Sequence, residues 1–313
     1  MRALAAFVGV ILLAGLIGAA LSYPAYELTS TFAAWPFHRV ASRIAMLVLL
    51  IGLIWLCRRL GLGRKRDFGF GLPWPRFLRT AILFGALGVA TAALGAGFLL
   101  ESRLRIADPS FPGTLSSLIR IFLVGLASGV SVALIEETVF RGAIHTAVER
   151  EAGPWAAVLS TAPLFAVLHF FARIHIPADQ VNAGSGFYLL VHSFQPLSQP
   201  ALVLDAFLSW LAVGLTLSLT RVLTGNTAAA IGLHAGWVIV LRMLQESTLA
   251  APDAGASIWV SRLDGLLGYW IIPWSIVIAA ALWLGRRAWV PGARTDPAGN
   301  AQPAVSGASR SSR

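Results

Sequence analysis

Charge is scarce in this sequence: 12% of its 313 residues are Asp, Glu, Lys or Arg, against 57% hydrophobic. Soluble domains carry about a quarter charged residues, so this composition excludes a water-soluble globule, which could not hide so much apolar surface. Cysteine is almost absent. The single Cys57, in an apolar stretch just before Arg58, excludes an intrachain disulfide and a cysteine-based metal site. Alternation of polar and apolar residues is also missing, which argues against a transmembrane barrel. No internal repeat supports an inverted-repeat transporter.

What the chain has instead is long apolar runs and a mean hydropathy of +0.75. Lipid cannot satisfy backbone N–H and C=O groups, so such runs must cross as helices. Eight segments qualify: Leu4–Leu21, Val40–Cys57, Phe77–Leu100, Leu115–Arg150, Trp155–Phe171, Ala201–Thr220, Thr227–Leu244 and Leu266–Leu284. At about 1.5 Å per residue the fourth exceeds a hydrocarbon core of about 30 Å, and its charged end, Glu149-Arg150-Glu151, is expected to project into water. The expected fold is therefore all-α, a polytopic transmembrane bundle of about eight spans over residues 1–290, with its functional core at about 115–244. The Pro-, Gly-, Ala-, Ser- and Arg-rich stretch 291–313 reads as a disordered cytoplasmic tail.

A net charge of +10 would suggest nucleic acid for a soluble protein; here it reports orientation, and no nucleic-acid partner is expected. With the amino terminus inside, fifteen basic residues fall on the inner side and seven on the outer, leaving Arg120 and Arg141 within a helix. The positive-inside rule then puts both termini in the cytoplasm. The Arg58–Arg66 cluster dominates that count and suits anionic lipid head groups. The first apolar run is longer than the hydrophobic part of a typical signal peptide, so an uncleaved anchor is expected.

Ionisable residues inside apolar helices are costly, and by default they mark function. The densest group is Glu136-Glu137-Thr138-Val139-Phe140-Arg141 in the fourth segment. Glu137 and Arg141 stand at i and i+4, where an ion pair forms on a helix. Glu136 points about 100° away and has no local partner, so it must find one elsewhere, at His169 or His234. His169 shares a helical face with Phe165. His234, in Gly232-Leu233-His234-Ala235-Gly236, is flanked by small residues that admit another helix or a substrate backbone. Counted from the turn near Gly153, Glu136 and His169 lie at the same depth, about 21–23 Å along their helices. His234 reaches that level only if its helix is tilted or starts deeper. His145 is expected near the aqueous end without a catalytic role, and His38, His175 and His192 fall in loops.

The ordered set Glu136-Glu137-x-x-x-Arg141, Phe165-x-x-x-His169 and His234 resembles the CPBP or Abi group of intramembrane endopeptidases. That group includes the type II CAAX prenyl-protein endopeptidases and bacteriocin self-immunity proteins. The resemblance implies that Glu136 activates a water with His169 and that His234 stabilises the tetrahedral intermediate, while Glu137, Arg141 and Phe165 support them. Val238 stands where the family often has Asn, which removes one oxyanion donor; Trp237 or a backbone N–H is the candidate substitute. One carboxylate and two histidines also match zinc's preference for three protein ligands and a water, so a divalent metal such as zinc, held by Glu136, His169 and His234, is compatible with the resemblance.

The implied activity is hydrolysis of membrane-associated protein or peptide substrates, in a bacterial cytoplasmic membrane. The alternative is a non-catalytic immunity or scaffold protein whose polar cluster only holds helices together. A proton-coupled transporter is more distant. The long loop from Ala172 to Pro200, with its Phe187–Val191 cluster, is expected to lie on the outer membrane surface.

Overall fold

The computed structural model describes residues 1–171, 174–263 and 265–289; the expected tail at 291–313 lies outside them. The architecture is a helical bundle. Its helices are α1 (Arg2–Ser30), α2 (Phe37–Arg59), α3 (Trp74–Glu101), α4 (Leu115–Glu137), α5 (His145–Ala152), α6 (Pro154–Leu168), α7 (Ser185–Ser193), α8 (Pro200–Thr224), α9 (Ala228–Ser247) and α10 (Ile271–Leu284). Each of the eight apolar segments contributes a helix, although the last, read from Leu266, turns helical only at Ile271. Among the described residues six helices are long and apolar enough to cross a membrane, the continuous run Leu115–Ala152 counting as one, whereas α6 and α10 are apolar but shorter. Pro154 starts α6 and His169 ends it, so this helix stops inside the protein and leaves its last side chain at the depth of the polar cluster.

At the centre is α9, in which every residue from Ala228 to Trp237 is buried. It packs between α3 and α4, while α6 packs on α8, α8 on α10, and α1 on α2 and α7. Small residues permit the tight α3–α9 crossing. A Cβ built on Gly232 would lie 2.1 Å from the Ala81 carbonyl oxygen, and one on Gly236 2.4 Å from that of Gly85. Without a solvent-driven hydrophobic force between spans, such close backbone contact supplies the packing. The small residues around His234 thus admit α3, not a substrate.

Three features depart from the sequence expectation. A two-stranded antiparallel ribbon joins β1 (Arg105–Ala107) to β2 (Thr248–Ala250). It forms because the chain leaving α3 runs beside the chain leaving α9, and Arg105 fixes it through Thr248 Oγ1 at 2.7 Å. The charged end of the fourth segment does not project freely. Glu151 accepts from the backbone N–H groups of Arg2 and Ala3 at 2.7 and 2.9 Å, capping α1, and Arg150 pairs with Asp67 in the α2–α3 loop. Within the 172–200 loop, α7 packs on α1, with Gly186 against the Ala19 carbonyl, while Phe187, Tyr188 and Val191 remain exposed.

Candidate active site

The fourth segment is not a uniform α-helix. Between α4 and α5, Thr138–Ile144 forms a π-helical turn, a widening that often accompanies functional sites. Gly142 lets the α2–α3 loop close on this turn, since a Cβ there would lie 3.0 Å from the Phe68 carbonyl oxygen. The Arg141 carbonyl accepts from Arg221 Nε at 3.2 Å. Arg221, one of the fifteen basic residues counted on the inner side, is buried, with that carbonyl as its partner. The same turn buries His145, expected near water, so that neither ring nitrogen has a hydrogen-bond partner among the described residues.

Immediately before this turn the two glutamates part company. Glu137 and Arg141 are both 0% exposed and paired, Arg141 Nη1 donating to Glu137 Oε1 at 3.1 Å. Arg141 Nη2 also donates to the Gly214 carbonyl on α8 at 2.9 Å, and the guanidinium lies over the Phe165 ring at 4.5 Å. His234 Nδ1 reaches the same Glu137 Oε1 at 2.8 Å. The depth mismatch is resolved because the turn before α9 is itself buried: Thr227 is 0% exposed, and its N–H donates to the Gly69 carbonyl at 3.1 Å. The helix therefore starts inside the protein.

Glu136 lies on the other face. It is 28% exposed and His169 19%, with Glu136 Oε2 and His169 Nε2 separated by 3.9 Å. That is too long for a direct hydrogen bond and short enough for one water to touch both atoms. Glu136 Oε2 is buried without a hydrogen-bond partner. His169 is held from three sides: Nδ1 is 2.7 Å from the Phe165 carbonyl, Phe165 is 4.3 Å from its ring, and Trp210 of α8 stacks on it at 3.8 Å. A carbonyl only accepts, so Nδ1 carries the proton and Nε2 keeps a lone pair.

Sequence reasoning missed Trp210 and the Gly214 carbonyl. A signal existed: Trp210, Gly214 and Ser218 repeat every fourth residue on one face of α8, and that face meets Phe165 and Thr161 of α6. Trp237 is not a spare oxyanion donor, because its indole N–H donates to Thr91 Oγ1 at 3.0 Å. Nor is the zinc set gathered: among the described residues no group of three or more His, Cys, Asp or Glu is placed to hold a metal. His234 turns to Glu137 while His169 faces Glu136. As arranged, these residues do not fit a three-ligand metal centre.

A membrane helical bundle with a buried carboxylate and histidine cluster at the junction of α4, α6, α8 and α9 defines the class. Residues 116–240 match the family described as Type II CAAX prenyl endopeptidase Rce1-like. That stretch contains all the cluster residues named above, and through it the core of this chain is similar to that family of proteases. No curated protein and no solved structure matches the chain.

Proposed function

We propose that the protein is an intramembrane endopeptidase in which Glu136 is the general base. The observation that carries this reading is the unpartnered Glu136 Oε2, 3.9 Å from His169 Nε2. A water between them attacks the substrate carbonyl carbon and gives a proton to Glu136 as the C=O electron pair moves to oxygen. His234, its Nδ1–H held by Glu137, presents Nε2; as imidazolium with Glu137 as counter-ion it donates to that oxyanion. The tetrahedral intermediate collapses, the C–N bond breaks, and Glu136 returns the proton to the leaving amine. One water yields one carboxylic acid and one amine. Val238 contributes no donor, so oxyanion stabilisation falls on His234.

The substrates on this reading are membrane-associated proteins or peptides, met in a cytoplasmic membrane with both termini of the enzyme inside. Comparison of membrane peptides from cells carrying wild-type and Glu136→Gln protein tests the activity. Fragments present only with wild type are expected, and identical peptide sets would leave the scaffold alternative in its place. Because the residues do not gather as a metal centre, cleavage is expected to resist chelators. Loss of activity to a chelator, restored by zinc, would show a rearranged three-ligand site. A cysteine at position 309, with Cys57 replaced, should escape an impermeant thiol reagent in intact cells; labelling would overturn the orientation.

A further inference from the structure

Away from the polar cluster, the short α2–α3 connection builds a second site. A cavity of about 600 Å³ is lined by Lys65, Phe68, Phe70, Trp74, Phe77 and Thr138, among others. Its aromatic wall is ordered: Phe70 stacks on Phe77 at 5.2 Å and Trp74 on Phe77 at 5.8 Å, with Trp74 66% exposed. The loop joins two span-length helices, so it stands at a membrane surface. Between residues 58 and 79 there are seven basic residues and one acid, Asp67. That acid is turned inward and consumed, accepting from the backbone N–H groups of Gly63 and Arg64 and pairing with Arg150. Arg64, Lys65 and Arg66 are all exposed, and Asp67 does not neutralise them.

We propose that this cavity is a binding site for one anionic phospholipid, its acyl chain against the Phe70–Phe77–Trp74 wall and its phosphate among Arg64, Lys65 and Arg66. Charge complementarity selects the occupant: an apolar slot with a cationic rim at the membrane surface fits an amphiphile with an anionic head. A zwitterionic lipid gains the wall but not the rim.

The position gives the site a regulatory reach. Its wall includes Thr138, the residue after Glu137. The same loop meets the π-helical turn where Phe68 packs on Gly142. It meets the start of α9 where Thr227 Oγ1 donates to the Phe68 carbonyl at 3.2 Å. A lipid seated here clamps the loop against the two helices that supply Glu136 and His234. Binding is independent of what the polar cluster does; only the regulatory consequence rests on the hydrolytic reading.

The test uses the full-length protein in detergent, titrated with phosphatidylglycerol brominated on its acyl chains, and reads tryptophan quenching. Wild type is expected to show a saturable component that the same brominated phosphatidylcholine does not produce, and that component should vanish in Trp74→Phe. Neutralising Arg64, Lys65 or Arg66 to Gln should weaken apparent affinity about fivefold per residue. These side chains are exposed, so the variants keep the fold. Equal quenching by both lipids, or a phosphatidylglycerol component unchanged in the triple Gln variant, would overturn the site. If binding holds while wild-type membranes show no Glu136-dependent cleavage, the lipid site stands and the hydrolase reading falls.

Discussion

Two adjacent glutamates, one peptide bond apart on α4, end up in opposite conditions. Around Glu137 the structure is closed: Arg141 and His234 both donate to one oxygen, Arg141 continues to the Gly214 carbonyl, and Glu137 and Arg141 are 0% exposed. Around Glu136 it is open: the side chain is 28% exposed, and its Oε2, unpartnered like that of Glu137, lies 3.9 Å from His169 Nε2. A closed ionic network joins helices: here it ties α4 to α8 and α9. An open carboxylate has nothing to join and is free to take up a water. On the proposed mechanism the contrast divides the labour, with Glu137 holding His234 in place and Glu136 acting on substrate.

The sharpest way to break that division is to remove one charge at a time without changing shape. Loss of a positioned general base lowers rate by about 10²–10⁴, so Glu136→Gln should nearly abolish turnover while leaving thermal stability and detergent-solubilised yield unchanged. A variant that cleaves normally would end the assignment. On the closed side the order reverses. Removing one member of a buried pair costs about 3–5 kcal/mol, because the other charge is left stranded. Arg141→Ala should therefore depress yield and thermal stability first, with activity falling in step. Arg141→Ala protein that is fully stable yet inactive would move Arg141 from support to chemistry.

Much of this contrast was legible in the sequence. The i, i+4 spacing gave the Glu137–Arg141 pair, and counting residues from the Gly153 turn matched Glu136 to His169, because both are local properties of regular helices meeting at one turn. The choice of carboxylate for His234 was not legible. It depends on how far α9 starts below the surface, and that is set by the contact of Thr227 with Phe68 and Gly69, more than 150 residues apart in sequence. His145 was misplaced for a related reason. It was read at the aqueous end of a regular helix, whereas the π-helical turn redirects the side chains beyond it and leaves a carbonyl that accepts from the buried Arg221. Nothing in a 3.6-residue pattern signals that turn. The eight apolar segments were found because burial in lipid demands long runs, but that demand does not fix where α6 and α10 stop.

A finer test of the open side concerns Trp210, whose ring lies 3.8 Å from that of His169. On the proposed mechanism Trp210 touches no reacting atom and is a positioning residue. Small misplacement of a catalytic group costs up to about 10²-fold, and Trp210→Leu should lower kcat by about tenfold with KM little changed. Trp210→Phe, which keeps a stacking face, should recover most of that loss. A change confined to KM would make Trp210 a substrate contact instead.

The smallest effect is expected at a third carboxylate, which extends the comparison to the membrane surface. Asp67 is paired like Glu137, but its partners are the Gly63 and Arg64 backbone N–H groups and the half-exposed Arg150. These hydrogen bonds, led by that from Arg64, hold its carboxyl below the ordinary 3.8. A carboxyl depressed in the folded state contributes stability that is fully present above its unfolded value and is lost as pH falls through the folded one. Asp67→Asn removes the charge without removing the loop. Its thermal midpoint should lie below that of wild type at neutral pH, and the two should converge as the pH falls below about 4. Every other carboxylate is common to both proteins and cancels in the difference. Midpoints that stay parallel down to pH 3 would mean that Asp67 is held by shape alone, and that closure of a carboxylate stabilises this protein only where lipid, not water, surrounds it.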